Sequence, residues 1–189
     1  MKRHHRSLIR VLENEFGRHA YVEGAEICVW KGELSADVLR YFPNLRLVMI
    51  DLWEAYNKSA MHDKDNNAEA MQVAYDEARG ATRFASFRRT IFKGFSVASA
   101  RSFDLEKLDW FFLDCDHFYD SVKADLHAWW PKLKPGGIAA GHDYNGAGDR
   151  RKGWGVKRAV DEFFSDLGLE VHVDPGRVWW VKKPLEETL

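Results

Sequence analysis

The sequence predicts a doubly wound, mostly parallel α/β sheet with an antiparallel hairpin at its C-terminal edge. Three observations predict it. Residues 25 to 51 hold a strand, a helix and a second strand, about 30 residues in all, which is the size of a parallel crossover unit. Leu108-Asp109-Trp110-Phe111-Phe112-Leu113 is a nearly continuous apolar run, as expected of a strand buried on both faces. Two β-prone runs close the chain, joined only by Asp174-Pro175-Gly176-Arg177, a link that permits antiparallel pairing alone.

In chain order, Leu8, Ile9, Val11, Leu12 and Phe16 mark a short amphipathic helix within residues 1–20, ended by Gly17. Residues 25–30 (Ala-Glu-Ile-Cys-Val-Trp) form the first strand and 33–40 the first crossover helix, which stops before Pro43. Leu45 to Ile50 is a second strand ending on Asp51. Residues 56–67 are polar and turn-rich, a surface loop. Met71, Ala74, Tyr75 and Ala78 recur at helical spacing, so 68–79 is a helix packed on the sheet. Arg89 to Lys93 is a third strand, stopped by Gly94, and a helical stretch follows before the apolar strand 108–113. Val122, Leu126, Trp129 and Leu133 predict a helix that Pro135-Gly136-Gly137 terminates. Ile138 to Gly141 is the fifth strand. Val156, Ala159, Val160, Phe163, Phe164 and Leu167 form the clearest amphipathic stripe in the chain. Residues 170–173 and 178–181 make the final hairpin.

Composition narrows the function. The 189 residues carry 28 Lys+Arg against 29 Asp+Glu, a net charge of −1, which argues against a protein that coats nucleic acid. At 46% hydrophobic and 14% aromatic the chain can build a real core, and its length suits one domain. Its two cysteines, Cys28 and Cys115, make neither a disulfide scaffold nor a local metal knuckle. No apolar run approaches the ~18–20 residues of a membrane span, and the basic start lacks the apolar stretch of a signal peptide. The expectation is a soluble, reduced, cytoplasmic domain.

In open parallel sheets, ligands bind beyond the carboxyl ends of the strands. Polar side chains collect there. Asp51 closes an apolar strand 19 residues after Gly32, where an acid accepts the hydroxyls of a ribose. Read without a ligand, the same residue is a turn or cap aspartate. Asp114, Asp116 and His117 follow one strand; His142 and Asp143 follow the next. Carboxylates and imidazoles on adjacent strand ends suit a divalent cation, or a general base beside a substrate hydroxyl.

Five ordered segments carry a resemblance. Residues 25–35 are similar to the first motif of class I S-adenosylmethionine-dependent methyltransferases. Leu113-Asp114-Cys115-Asp116-His117-Phe118-Tyr119 resembles the I-D-G-D-H-x-Y motif of one bacterial branch. Lys134-Pro135-Gly136-Gly137, His142-Asp143-Tyr144 and the run from Gly155 to Phe163 continue that branch in the same order. The resemblance spans about residues 21–183, and implies a methyltransferase domain over 21–189 with residues 1–20 as a helical appendage. It implies strand order 3-2-1-4-5-7-6 with the last strand antiparallel.

The resemblance also implies a site. Glu26, Cys28, Val29, Trp30 and Gly32 form the turn that approaches the methionine end of the cofactor. Asp51, with Leu52 and Trp53, takes the ribose; Gly94, Phe95 and Ser96 border the adenine; Asp114 and Cys115 complete the cofactor set. Asp114, His142 and Asp143 hold Mg2+ in this carry-over, with His117 as base candidate and Asp114 beside it as the catalytic pair. The activity implied is O-methylation of a small molecule, in-line displacement at a sulfonium-activated carbon, in which the protein aligns the partners. Two departures stand out: Cys28 replaces the first motif's glycine and Cys115 the glycine of I-D-G-D-H. The expectation is that both are small buried side chains, Cys28 at negative φ and pointing away from the cofactor.

Rival readings weaken on inspection. A nicotinamide oxidoreductase lacks its Gly-x-Gly-x-x-Gly, since Gly32 is the only glycine of the turn 26–32. A methyltransferase-fold module without catalysis explains the two cysteines but not the strand-end carboxylates. Arg79, Arg83, Arg88, Arg89 and Lys93 suggest nucleic acid only as a basic run, and such runs are usually solvated faces. Loop 145–154, with Asp149, Arg150, Arg151 and Lys152, is expected at the substrate entrance, and the absence of a large substrate-selecting domain leaves room for a homo-oligomer. Of the eight tryptophans, Trp110, Trp129, Trp179 and Trp180 read as packing, while Trp30, Trp53 and Trp154 fall at the predicted cleft.

Overall fold

The computed structural model describes residues 1–56, 66–145 and 153–185. Among them, the chain runs α1 (Arg3–Phe16), β1 (Val22–Ile27), α2 (Glu33–Tyr41), β2 (Leu45–Asp51), α3 (Ala68–Ala81), β3 (Arg89–Lys93), α4 (Ser96–Ala100), β4 (Leu108–Leu113), α5 (Tyr119–Trp129), β5 (Leu133–Gly141), α6 (Val156–Asp166), β6 (His172–Asp174) and β7 (Val178–Lys182). The seven strands form one sheet in the order β3-β2-β1-β4-β5-β7-β6. Pairings are parallel from β3 through β5 and antiparallel at β5–β7 and β7–β6, as the hairpin link requires. Every parallel strand therefore points its carboxyl end to one edge.

Each face of the sheet has its own core. On one side Leu8 and Leu12 of α1, Leu34 and Val38 of α2 and Ala74 and Ala78 of α3 cover Leu47, Met49, Trp110 and Phe112. On the other, Val122, Leu126 and Trp129 of α5 and Ala159, Val160 and Phe164 of α6 cover Ile27, Phe111, Leu113 and Trp179. Trp110 and Phe112 face one way, Phe111 and Leu113 the other, so the apolar run of β4 serves both layers. No helix among the described residues is long and apolar enough to cross a membrane.

Three boundaries differ from the sequence expectation. β1 covers Val22–Ile27 rather than 25–30, because Cys28 and Trp30 take φ of 68° and 56°, which no extended strand accommodates. The helix expected to reach Leu133 stops at Trp129. A 3-10 turn with Pro131 follows, and Leu133 opens β5. Pro135-Gly136-Gly137 therefore lies inside β5 and does not end a helix. Gly136 sits at φ 79°, and its N–H donates to Lys183 O across the sheet at 2.9 Å.

Candidate active site

The turn after β1 is built from alternating left-handed residues: Cys28, Trp30 and Gly32 have φ of 68°, 56° and 74°. Gly32 has no substitute, since a Cβ there meets Ala78 Cα of α3 at 2.8 Å. Asp51 shapes this turn from the end of β2. Its Oδ2 accepts the Trp30 N–H at 2.8 Å and its Oδ1 accepts the Trp53 N–H at 2.9 Å. Burial raises its pKa, against those backbone bonds. The Trp53 indole is buried and donates to Trp30 O at 2.9 Å. Leu52 lies between them, half-buried, and Val29 turns its side chain into the core. Glu26 is buried, bonded to the Ser35 hydroxyl of α2, and burial pushes its pKa up to about 8 despite that bond. It is therefore a neutral acid at neutral pH.

The adenine-side residues divide. Gly94 N–H donates to the main-chain carbonyl of Asp51 at 2.9 Å, placing the start of α4 beside the end of β2. Phe95 is 51% exposed, with the Tyr56 ring edge-on to it at 5.3 Å, so an aromatic surface lies open next to Asp51. Ser96 is committed elsewhere. Its hydroxyl donates to Asp125 Oδ1 at 2.5 Å and accepts from Trp129 Nε1 at 2.9 Å. Asp125, which the sequence reading passed over, is held up to about pKa 6 by burial.

After β4 and β5 four side chains converge. His117 Nε2 lies 2.9 Å from Asp143 Oδ2 and 3.8 Å from Asp114 Oδ1. His142 Nδ1 lies 3.5 Å from Asp114 Oδ1 and 3.4 Å from Asp143 Oδ2. His142 Nε2 is 3.0 Å from the carbonyl of Gly176, so that nitrogen carries the hydrogen. The donor atoms of Asp114, His117 and Asp143 all lie within 4.8 Å of one another. Burial opposes charge throughout this cluster, and the opposite charges win. Asp114 is held well below the usual carboxylate range by His117 and His142, and Asp143 is lowered by the same pair. Burial pulls His117 down, but Asp114 and Asp143 hold it up to about 9. Trp154 stacks on the His117 ring at 4.0 Å, so the end of the 145–154 loop reaches the site, while Asp149, Arg150, Arg151 and Lys152 lie outside the described residues.

Besides Asp125, two groups were missed in the sequence. His4, at the start of α1, packs its ring 4.3 Å from His142, and burial together with His142 lowers it to about 4. Arg177, in the β6–β7 turn, pairs with Asp143 Oδ1 at 2.9 Å. The basic run around β3, by contrast, is largely spent: Arg88 donates to the carbonyls of Leu39, Phe42 and Leu45, and Lys93 and Arg79 pair with Glu54 and Asp76.

The cysteine expectation is overturned. Cys28 has positive φ, and its side chain is bonded to Cys115 in a disulfide, with the Cα atoms 4.9 Å apart. The physical reason is register. Ile27 pairs with Leu113 across β1 and β4, so Cys28, one residue past that pair, and Cys115, two residues past it, leave the sheet on neighbouring strand ends. Residues 25–144 match the family described as a methyltransferase domain. This chain belongs to that family. The methyltransferase fold extends over nearly the whole chain. A Corynebacterium glutamicum protein is similar over 98% of this chain and 82% of its own, at 18% identity and TM-score 0.67. The O-methyltransferase NovP is similar over 95% and 78%, at 18% identity and TM-score 0.65. The MycE methyltransferase of mycinamycin biosynthesis, solved with Mg and SAH, is similar over 97% of this chain and 50% of its own, at 17% identity and TM-score 0.60. At such identities the likeness is one of fold. No curated protein matches the sequence.

Proposed function

We propose that this methyltransferase uses S-adenosylmethionine to methylate an oxygen of a small molecule, with residues 21–189 as the catalytic domain and the first 20 residues packed on it. One observation carries the proposal: two complementary groups of side chains meet at the carboxyl edge of a single sheet. Asp51 beside the open Phe95–Tyr56 surface suits an adenosine, offering a carboxylate to the ribose diol and ring faces to the purine. Each oxygen of Asp51 keeps a lone pair after accepting its backbone N–H. Glu26, Cys28, Val29, Trp30 and Gly32 border the methionine end in this reading, with Leu52, Trp53, Gly94 and Ser96 supporting the pocket and Asp114 and Cys115 closing it. When bound, the cofactor supplies a methyl carbon already activated for in-line displacement.

The second group serves the acceptor. Asp114, His142 and Asp143 would hold a divalent cation. With its Nε2–H spent on Gly176 O, His142 presents Nδ1 to both carboxylates, which raise its pKa; a bound cation would take the place of the Nδ1 proton, as in metal-bound imidazoles. A cation there would lower the pKa of an acceptor hydroxyl. Without it, His117 is protonated at neutral pH and meets the acceptor as a cation that steadies an oxyanion. His117 becomes a base only when its two carboxylates no longer hold that proton. Trp154, stacked on His117, walls the acceptor side.

Titration calorimetry with S-adenosylhomocysteine tests the cofactor. The wild type binds, and Asp51→Ala weakens binding by about tenfold or more. A wild type that binds nothing at saturating ligand removes the proposal. A second reading, a methyltransferase-fold protein that binds without turnover, is favoured by one observation, that both Asp51 oxygens already accept a backbone N–H. Cofactor binding with no transfer to any hydroxylated acceptor selects it.

A further inference from the structure

The disulfide does not lie at a neutral place. Cys28 begins the proposed cofactor turn after β1, and Cys115, between Asp114 and Asp116 after β4, closes the same pocket, so the bond ties two strand ends of the cleft together. Neither residue is fully buried, and Cys115 lines the cleft, so a small thiol can reach the pair.

The turn it ties is one that needs holding. Cys28 and Trp30 occupy left-handed backbone that residues with a Cβ rarely adopt. Trp30 is fixed twice, by Asp51 Oδ2 on its N–H and by the Trp53 indole on its carbonyl. Cys28 is fixed through its backbone N–H, which donates to Ile50 O at 2.7 Å, and through its side chain by the bond to Cys115. Take that bond away and the side-chain anchor goes, while the cost of the left-handed Cys28 backbone stays.

We propose that Cys28 and Cys115 form a reversible thiol–disulfide switch on cofactor binding. The bonded form holds the turn in its binding shape. The dithiol form releases it and weakens binding. The inference rests on the S-adenosylmethionine reading above. Reduction takes two equivalents of a thiol such as glutathione. One thiolate attacks a sulfur of the pair, the Cys28–Cys115 bond breaks and a mixed disulfide forms. The second thiolate displaces it, leaving the small-molecule disulfide and two cysteine thiols, so two electrons and two protons pass to the protein. Oxidation is the reverse exchange with glutathione disulfide.

The test uses the full chain in two states defined by thiol titration, no free thiols in the oxidised form and two in the reduced. Calorimetry with S-adenosylhomocysteine is expected to show binding about tenfold or more weaker after reduction, recovered when glutathione disulfide reforms the bond. Cys115→Ser, which leaves Cys28 without its partner, behaves as the reduced form under either condition. Cys28→Gly, whose backbone holds φ near 68° without a crosslink, loses the redox dependence. Equal affinity in the oxidised and reduced wild type overturns the switch and leaves the cofactor reading intact. No binding in any form overturns the cofactor reading and the switch with it.

Discussion

At the scale of single residues, charge and burial compete, and the outcome differs from site to site. Burial wins at Glu26, whose pKa rises to about 8 from the ordinary 4.5. The folded protein then binds more protons than the unfolded chain between these values, so Glu26 costs stability progressively as pH rises through that window. Glu26→Gln keeps an acceptor for Ser35 and removes the titration. It should raise the melting temperature more at pH 8 than at pH 5, and equal gains at both would show Glu26 to be ionised in the fold. At Asp114 and Asp143 the paired imidazoles win instead, and their donor set has a preference to declare. Imidazole nitrogen suits first-row transition ions, whereas Mg2+ prefers carboxylate and water oxygens. Mn2+ should therefore bind about tenfold or more tightly than Mg2+, and His142→Ala should narrow the gap; calorimetry with each ion alone decides. Asp51, Asp114 and Asp143 were legible in the sequence because a carboxylate closing an apolar strand stands out. His4 was not, because only the docking of α1 brings the start of the chain against His142. The state of His117 was hidden too, since it depends on two carboxylates from two different strand ends.

At the scale of elements, periodicity reported which helices pack and on which face, but it was blind to backbone of positive φ. The stripe of α6 from Val156 to Phe164 and the apolar run of β4 appear where spacing puts them, whereas Leu167 caps the helix and is exposed. The ends of β1 and α5 do not, because φ at Cys28 and the Trp130–Lys132 turn set them, and neither has a periodic signal. The disulfide escaped for the same reason: neighbouring strand ends were foreseen, a left-handed Cys28 was not. Helix α1 shows what packing adds to such a reading. Leu8 and Leu12 are buried in the same core as Val38 and Trp110, while Arg10 reaches Asp174 at 2.6 Å from an exposed position. Truncating a buried leucine removes transfer free energy and leaves a cavity, while an exposed ion pair contributes little. Leu12→Ala should cost about 3 kcal/mol in urea denaturation and Arg10→Ala less than about 1 kcal/mol. Similar small losses for both would make α1 an appendage rather than part of the core.

At the scale of the whole molecule, the strand order decides where ligand energy enters. The proposed cofactor residues follow β1, β2, β3 and β4, four of the seven strands, and both core layers hang on those strands. A ligand held there touches the element on which each layer depends, so its binding energy is felt by the whole domain if the domain unfolds as one unit. Ligand in excess by about a hundredfold over its dissociation constant adds about 2.7 kcal/mol to the folded state. For a chain of this size each kcal/mol is worth about 2–4 °C, so S-adenosylhomocysteine should raise the melting temperature by about 5–10 °C. NAD should not, because the turn 26–32 has a single glycine, too few for the close approach of a pyrophosphate. The tryptophans give an independent view of the same event. Trp110, Trp129 and Trp179 are sealed in the core, whereas Trp30 is half-buried in the turn itself. A fluorescence change on adding S-adenosylhomocysteine should therefore disappear in Trp30→Phe while the thermal shift persists. A thermal shift with NAD of equal size would instead make the sheet edge a general nucleotide site, and the methyl donor would lose its claim to it.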